Sequence, residues 1–154
     1  GIMLTRPVHA SICVSQNWGE NPDYYVQIQG YEVPLRGHNG RDYAATEGSS
    51  VVACGDGVVE RADMDPWGFG NICVIRHSWG KSYYAHLSGF DTSVGTPVSR
   101  GQHIARSGKT GLGMGVGGAG QDHLHFSIKI DGQDDRSNGW GGFTDPTPYM
   151  DNPD

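Results

Sequence analysis

The hydrophobic positions of this chain form short runs rich in Val and Ile, and Gly, Pro, Asp and Asn separate one run from the next. Runs of about four to eight such residues between turn-forming residues are typical of β-strands. Residues that favour helices are scarce. We therefore predict a mainly β fold built from many short strands joined by turns.

Two segments have the pattern of β-hairpins. In residues 49–62 (SSVVACGDGVVERA), the tripeptide Gly-Asp-Gly separates two apolar runs, which predicts a tight turn at that point. Residues 70–88 (GNICVIRHSWGKSYYAHLS) repeat the arrangement, with Ser-Trp-Gly-Lys as the turn. Each segment is therefore expected to pair with itself.

Shorter strands are expected around these hairpins. The segments are 11–19 for a first strand, 95–108 for two short strands, and 123–132 for the last one. A glycine-rich loop, residues 109–122, leads into the last strand. The tail from residue 138 onward is rich in turn residues and is expected to wrap the surface.

The length and composition fit one compact unit. With 154 residues the chain is long enough for a single core, and it contains no linker and no internal repeat. The 25 Gly residues follow no Gly-x-y period, which excludes collagen and favours loops. We predict a single domain over residues 1–154.

The distribution of charged and apolar residues argues against nucleic acid and membrane as partners. The formal net charge is −6, and the 11 Lys and Arg residues are scattered, so the chain lacks the basic stripe of a nucleic-acid-binding protein. It also lacks the roughly 20 consecutive apolar residues that a membrane-spanning helix needs. No signal core stands at its beginning, and a targeting segment or further domain can lie outside it. We expect no nucleic acid partner and no membrane insertion.

The three cysteines lie in apolar, strand-like contexts without C-x-x-C spacing. Cys13, Cys54 and Cys73 are expected to be buried free thiols. A bridge between Cys54 and Cys73 on neighbouring strands is the alternative. Cysteine is not needed as a zinc ligand, because the chain offers better candidates.

Two histidine patterns have the composition of a zinc site. His38 and Asp42 form H-x-x-x-D, and His123 and His125 form H-x-H. Residues two apart in a strand point to the same face, so both histidines of the second pattern are expected to face one groove. Hydrolytic zinc sites use three such ligands and keep one position open for water. Patterns this short also arise by chance, so the segments around them determine whether a zinc site is indicated.

Those surroundings carry a family resemblance. The segments GHNGRDYAA, GDGVV, GNICVIRHSWG, YYAHLS, GQHIARSGKTG and HLHFSI occur in the order and approximate spacing of the lysostaphin/LytM-like zinc metallopeptidases. The resemblance covers about residues 12–150. It implies antiparallel sheets with an open substrate groove walled by loops, one zinc ion per chain, and hydrolysis of peptide bonds in bacterial peptidoglycan.

The resemblance also implies roles for individual residues. His38, Asp42 and His125 match the family's zinc ligands, and His86 and His123 match two catalytic histidines that do not bind the metal. Tyr31 is similar to a tyrosine that supports the transition state in some members. Its alternative is an ordinary loop or groove aromatic.

This set of residues has a consistent chemistry. Zinc lowers the pKa of a bound water to about 7 and polarises the scissile carbonyl. His86 and His123 would accept the proton of the water or stabilise developing negative charge. The four Glu residues lie outside these motifs, so no Glu takes the general-base role. We expect His77 to be structural and His9 and His103 to lie on the surface.

Two features depart from the family pattern. The loop 109–122 is longer and richer in Gly than is usual, which predicts either a mobile specificity loop or a tolerated insertion. Ser127 stands where an acidic residue is frequent, on the side of the strand that carries the histidines. Both departures concern substrate preference.

The expected partner is a peptidoglycan peptide, cut in a stem peptide or a cross-bridge. Nothing in the sequence decides between Gly–Gly bonds and bonds next to D-amino acids. The expected site of action is extracellular, in the cell wall or periplasm, for a secreted or phage-derived monomer with a possible wall-binding domain outside this chain. Two alternatives are a catalytically silent module that regulates wall enzymes and a phage structural component. The complete set of five residues argues against the silent module.

Overall fold

The prediction of a mainly β fold is confirmed by the structure, a computed structural model that describes residues 1–111 and 122–152. The strands of this part of the chain are β1 (Val14–Gln16), β2 (Arg41–Tyr43), β3 (Ser50–Val52), β4 (Gly57–Asp65), β5 (Gly70–Arg76), β6 (Gly80–Phe90), β7 (Pro97–Val98), β8 (His103–Ser107) and β9 (Leu124–Ile130). One short helix, α1 (Pro22–Tyr25), and a 3₁₀ turn (Thr147–Tyr149) accompany them.

The strands form one antiparallel sheet. Its order is β1-β2-β9-β6-β5-β4-β7, and β8 pairs with both β6 and β3 beside this row. The long central strands β5, β6 and β9 carry alternating side chains whose inward positions form the main core. Members of that core include Tyr84, Leu124, Phe126 and Ile128. As predicted from their alternation with the two histidines, Leu124 and Phe126 are fully buried in it.

The opposite face of the central strands carries a smaller apolar cluster. Ile72, Val74 and Ala85 are buried there, with Phe69 and Tyr83 packed against them. This face forms the floor of an open groove. The two faces of the sheet thus divide the chain into a core side and a groove side.

One predicted hairpin is confirmed and the other is wrong. Residues 70–88 form β5 and β6, which pair from Arg76–Lys81 onward. Residues 49–62 form β3 and β4, but β3 pairs with β8 and β4 pairs with β5 and β7.

The Gly-Asp-Gly segment bonds to distant partners instead of closing a hairpin. Ala53, two residues ahead of this segment, donates its backbone N–H to the Gln102 carbonyl oxygen, and the Asp56 carboxylate accepts from the Arg100 backbone N–H at 2.8 Å. These long-range bonds direct β3 toward β8, and local turn chemistry does not reveal them.

The cysteine prediction is correct for two residues of three. All three thiols are free; Cys54 and Cys73 are buried, whereas Cys13 is exposed. Cys13 precedes the edge strand β1, so its side chain is not enclosed by the sheet. The Cys54–Cys73 bridge is not formed.

The remaining histidines lie where the sequence predicted them. His77 is buried and bonds to the Asp56 carbonyl through Nδ1 and to the Ser82 hydroxyl through Nε2, both at 2.7 Å. His9 and His103 are at the surface. Most of the glycine-rich loop 109–122 lies outside the described residues. Within the described ranges, the only helices are too short to cross a lipid bilayer.

Candidate metal centre and active-site groove

Two neighbouring strands bring together the residues of the two histidine patterns. Asp42 on β2 lies directly opposite His125 on β9, and side chains of directly opposed residues share one face of a sheet. His38 lies four residues before Asp42, in the loop that enters β2. His123 lies just ahead of β9, where it forms an isolated bridge with Gly108.

Three potential ligand atoms converge at this point. His38 Nε2 is 3.2 Å from Asp42 Oδ1 and 3.1 Å from His125 Nδ1, and His125 Nδ1 is 3.0 Å from Asp42 Oδ1. All three residues are buried. A tetrahedral zinc site with metal–nitrogen bonds of about 2.0–2.1 Å has ligand atoms roughly 3.4 Å apart. The observed spacing therefore fits a small divalent ion with little adjustment.

Hydrogen bonds outside this trio hold two of its members. The Nδ1 of His38 is 3.1 Å from the Asn17 carbonyl, to which an N–H at that position donates, leaving the Nε2 lone pair directed at the centre. The buried Gln16 donates from Nε2 to Asp42 Oδ2 at 2.8 Å and to the Tyr25 hydroxyl at 3.0 Å. Asn21 in turn donates to Gln16 Oε1 at 2.6 Å. These bonds fix the orientation of both side chains.

The electrostatics of the trio suit a cation. Burial acts to raise the pKa of Asp42, but hydrogen bonds and charge interactions with His125 and His38 hold it well below the usual range of an aspartate. Burial lowers the pKa of His125. A carboxylate that stays ionised and an imidazole that stays neutral are the protonation states in which these groups bind a metal.

A glycine allows the third ligand to sit where it does. A Cβ on Gly40 would lie 2.5 Å from His125 Cε1 and 2.8 Å from the Phe126 carbonyl oxygen. Real side chains do not approach that closely. The glycine in the sequence GHNGRD thus leaves room for the imidazole ring.

Two more histidines lie beside the trio. The ring centroids of His86 and His123 are 4.7 Å apart in an edge-to-face arrangement, and the His86 ring is 6.1 Å from that of His125. His123 Nε2 is 3.7 Å from Asp42 Oδ2. Its Nδ1 is buried without a hydrogen-bond partner among residues 1–111 and 122–152.

The backbone of His86 is unusual. Its φ is 63°, in the left-handed region that non-glycine residues rarely adopt, at a cost of about 1–3 kcal/mol. Its backbone N–H donates to Phe69, and its Nδ1 is 2.7 Å from the Thr110 carbonyl oxygen. An N–H at Nδ1 donates there, so Nε2 is the free acceptor. These two hydrogen bonds hold the backbone of His86 in this conformation and its ring in one orientation.

Both of these imidazoles favour the neutral form. Burial, together with the charges of His125 and His123, lowers the pKa of His86 to about 3. Burial also lowers the pKa of His123, although the Asp42 carboxylate acts in the opposite direction. Two neutral rings thus lie next to the potential ligand trio.

The four histidines of this group, His38, His86, His123 and His125, line a groove with a volume of about 780 Å³. Tyr31 lies in its wall, half-buried, with a pKa raised by burial and its ring beside Gly141. Aromatic side chains make up much of the remaining lining; they are Tyr24, Tyr25, Trp67, Phe69, Tyr83 and Phe143. The open, aromatic-lined shape suits an extended chain molecule.

The family of this chain follows from comparison with models of known protein families. The model of "Peptidase family M23" matches residues 36–136, about two thirds of the chain. The chain belongs to peptidase family M23. The match includes the potential ligand trio and both neighbouring histidines, and membership implies a bound metal, for which the trio is the fitting place.

Relatives and solved structures agree with the M23 assignment. The peptidoglycan DD-endopeptidase ShyA of Vibrio cholerae is 40% identical over 99 residues, which cover 62% of this chain and 21% of ShyA. A zinc-containing peptidase of V. cholerae is 31% identical with a TM-score of 0.68, covering 94% of this chain and 39% of that one. The catalytic domain of lysostaphin from Staphylococcus simulans is 27% identical with a TM-score of 0.62, covering 87% and 98%.

These comparisons confirm the predicted lysostaphin/LytM-type fold of this M23 chain. The chain spans about a fifth of the length of the first curated relatives it matches, 20% of one and 21% of the next. It therefore corresponds to one part of those longer proteins.

Sequence reasoning missed the residues that support the M23 site. Gln16 donates a hydrogen bond to Asp42, Tyr25 accepts one from Gln16, and the Thr110 carbonyl orients His86. One signal was available: Gln16 lies two residues after the apolar Val14 in the first strand, where alternation places another side chain on the same face. The other two contacts come from a short helix and a backbone carbonyl, which carry no sequence signature.

Proposed function

We propose that this chain is the catalytic domain, over residues 1–154, of a zinc metalloendopeptidase that hydrolyses peptide bonds in bacterial peptidoglycan. The observation that carries the proposal is the convergence of His38 Nε2, Asp42 Oδ1 and His125 Nδ1 within about 3.2 Å of one another in an open groove. Two imidazoles and one carboxylate are a typical ligand set of hydrolytic zinc sites.

The metal in this proposal is one zinc ion per chain, held by His38, Asp42 and His125. When bound, zinc supplies Lewis-acid chemistry: it polarises a carbonyl and acidifies water. The support from Gln16 and from the Asn17 carbonyl keeps the oxygen and nitrogen ligands in place before the ion arrives. This preorganisation favours tight binding.

His86 and His123 are the proposed catalytic residues that do not bind the metal. His86 presents an unprotonated Nε2 because its Nδ1–H is engaged by Thr110, so it can accept a proton from the attacking water. His123 has a buried nitrogen without a described partner, which can donate to a developing oxyanion or to the leaving amine. Tyr31, in the groove wall, is proposed to support the transition state through its hydroxyl.

The proposed substrate is a peptide of the bacterial wall. ShyA is named a peptidoglycan DD-endopeptidase and lysostaphin an antimicrobial peptidase, and both resemble this chain. The proposed site of action is accordingly the cell wall or periplasm, outside the cytoplasm. We further propose that the domain acts as a monomer and that the parent protein carries additional segments, since its relatives are much longer.

Metal analysis combined with activity tests the residue roles. Asp42→Ala and His125→Ala are expected to lose zinc and activity together. His86→Ala and His123→Ala are expected to lose activity while they keep most of the zinc. If His123→Ala removed zinc as completely as His125→Ala, the division of roles would be wrong.

Digestion of purified peptidoglycan tests the reaction. The zinc-loaded protein is expected to release peptide fragments whose new amino and carboxyl termini identify the bond, and a chelator is expected to stop their release. Walls from several species separate Gly–Gly bonds from bonds next to D-amino acids. A protein that binds zinc stoichiometrically but releases no new termini from any wall would favour the regulatory alternative.

A further inference from the structure

A lysine lies on the groove side of the strand that carries the histidines. Along β9, His125, Ser127 and Lys129 are spaced two apart and therefore share one face. Lys129 contributes to the groove lining, as does His125. At about 3.3 Å per residue, the two Cα atoms are roughly 13 Å apart. That distance corresponds to about four residues of an extended peptide lying in the groove.

The ammonium group of Lys129 rests on aromatic rings. Its Nζ lies 4.8 Å from the centroid of the Phe143 ring and 5.6 Å from that of Tyr83. The residue is half-buried, and burial together with the charge of Arg136 lowers the pKa of its side chain. Ring faces attract a cation, but they replace only part of the water that a half-buried ammonium loses.

The other cations near the groove floor already have acidic partners. Arg61 Nε is 2.6 Å from Asp63, and Lys81 Nζ is 2.7 Å from Glu60. Lys129 has no ion pair with any Asp or Glu in the described ranges 1–111 and 122–152, and neither does the exposed Arg136 in the groove wall.

The acidic groups around Lys129 do not compensate for this. Asp134 acts on its charge from a distance and stabilises the protonated form, but Arg136 and Lys81 act in the opposite direction. Within the described residues, Lys129 thus has two cations and one acid as its resolved charged neighbours. A desolvated cation of this kind is stabilised most by an anion that arrives with a ligand.

We propose that Lys129, with Arg136 at the rim, forms a subsite that binds a free carboxylate of the peptide substrate about three to four residues from the cleaved bond. This rests on the proposed function, since it assumes that the groove holds a peptide. Wall peptides with free carboxylates fit the subsite, and the same peptides with amidated carboxyl groups lose the charge that it recognises.

The test compares two substrates and four proteins. The substrates are one purified wall peptide with its carboxylates free and the same peptide with them converted to primary amides. The proteins are the wild type, Lys129→Met, Lys129→Arg and the control Lys81→Met. Methionine keeps the packing on the two rings and removes the charge. Lys81 is the residue opposite Lys129 on β6 but is paired with Glu60.

Lys129→Met is expected to lower kcat/KM for the free-carboxylate peptide about tenfold or more, mainly through KM, and to change it less than about twofold for the amidated peptide. A tenfold change corresponds to ~1.4 kcal/mol. Lys129→Arg is expected to retain most of the preference for the free-carboxylate peptide over the amidated one, and Lys81→Met is expected to retain all of it. An equal loss on both substrates would overturn the proposal, because it would mean that Lys129 only supports the groove floor.

Binding separates this proposal from the endopeptidase assignment. The affinity of chelator-treated protein for the two peptides is measured by calorimetry, which requires no turnover. If the wild type binds the free-carboxylate peptide preferentially and Lys129→Met does not, the subsite is supported. If the zinc-loaded wild type then cleaves neither peptide, only the endopeptidase assignment fails. Equal binding of both peptides by the wild type would overturn the subsite.

Discussion

Gln16 offers a sharp test of how the metal centre is held. Its side chain is buried, with 1% of its surface exposed, and its Nε2 donates to Asp42 at 2.8 Å and to Tyr25 at 3.0 Å. Gln16→Met removes the donor and keeps an unbranched side chain of similar length. The oxygen of Asp42 that faces Gln16 then loses a hydrogen bond at a buried position.

The structure sets the size of the expected effect. A hydrogen bond to a charged group contributes about 1.5–3 kcal/mol, so zinc-free Gln16→Met is expected to lose about that much free energy of unfolding. Residues that orient a metal ligand typically change metal affinity about 10–100-fold. The stabilisation gained on adding zinc is therefore expected to fall by a further ~1.4–2.7 kcal/mol at a fixed excess of zinc.

Two measurements check these values. Urea unfolding without zinc gives the first loss, and titration of zinc against a competing chelator gives the second. Gln102→Met is the control, because its Oε1 accepts a hydrogen bond from the Ser99 backbone at an exposed site. An unchanged zinc affinity in Gln16→Met would refute the idea that this amide orients Asp42, even if the zinc-free protein were destabilised.

Three further predictions concern packing, pH and thiol reactivity. Gly40→Ala places a Cβ within 2.5 Å of the His125 ring, so it is expected to lower the free energy of unfolding in urea by about 1–3 kcal/mol and to reduce zinc content. The control Gly89→Ala, which has open space around its Cβ, is expected to change neither quantity. Equal behaviour of the two variants would contradict the packing argument. Because burial lowers the pKa of His77 below its usual value near 6.5, its contribution to stability is complete above about pH 6.5 and is lost as the pH falls further. In the zinc-free protein, the gap in unfolding free energy between wild type and His77→Gln is therefore expected to narrow from pH 7.5 to pH 5.5, and a constant gap would contradict this. A thiol reagent is expected to modify Cys13 rapidly in the native protein and the two buried cysteines only after unfolding, as mass measurement would reveal.

The sequence was sufficient to predict the β class and the second hairpin, and its two histidine patterns contain the three residues that converge as the potential ligand trio. Its strongest signal was the alternation in HLHF, where His125 faces the groove and Leu124 and Phe126 enter the core. Such alternation reports directly on the two faces of a strand. The alternation placed His125 on the groove side of its strand, whereas the roles of the individual site residues came from the family resemblance.

Long-range pairing was not accessible in the same way. The Gly-Asp-Gly segment has the chemistry of a tight turn, yet β3 pairs with β8, more than fifty residues away along the chain, for example at Ser50–Arg106. Which strands pair depends on bonds such as that from Arg100 to Asp56, between residues that no local pattern connects. The exposure of Cys13 was missed for a related reason, because the edge position of β1 is a property of the whole sheet.

The path by which β2 reaches the rest of the sheet has a consequence for the metal. β1 and β2 connect to the central strands through β9, along three opposed residue pairs, and the proposed ligands lie on both sides of that junction. An ion shared by His38, Asp42 and His125 would link β1 and β2 to the remainder of the sheet across this junction. The availability of zinc would then determine how stably β1 and β2 are held, and unfolding of a zinc-free molecule would begin with the separation of β2 from β9.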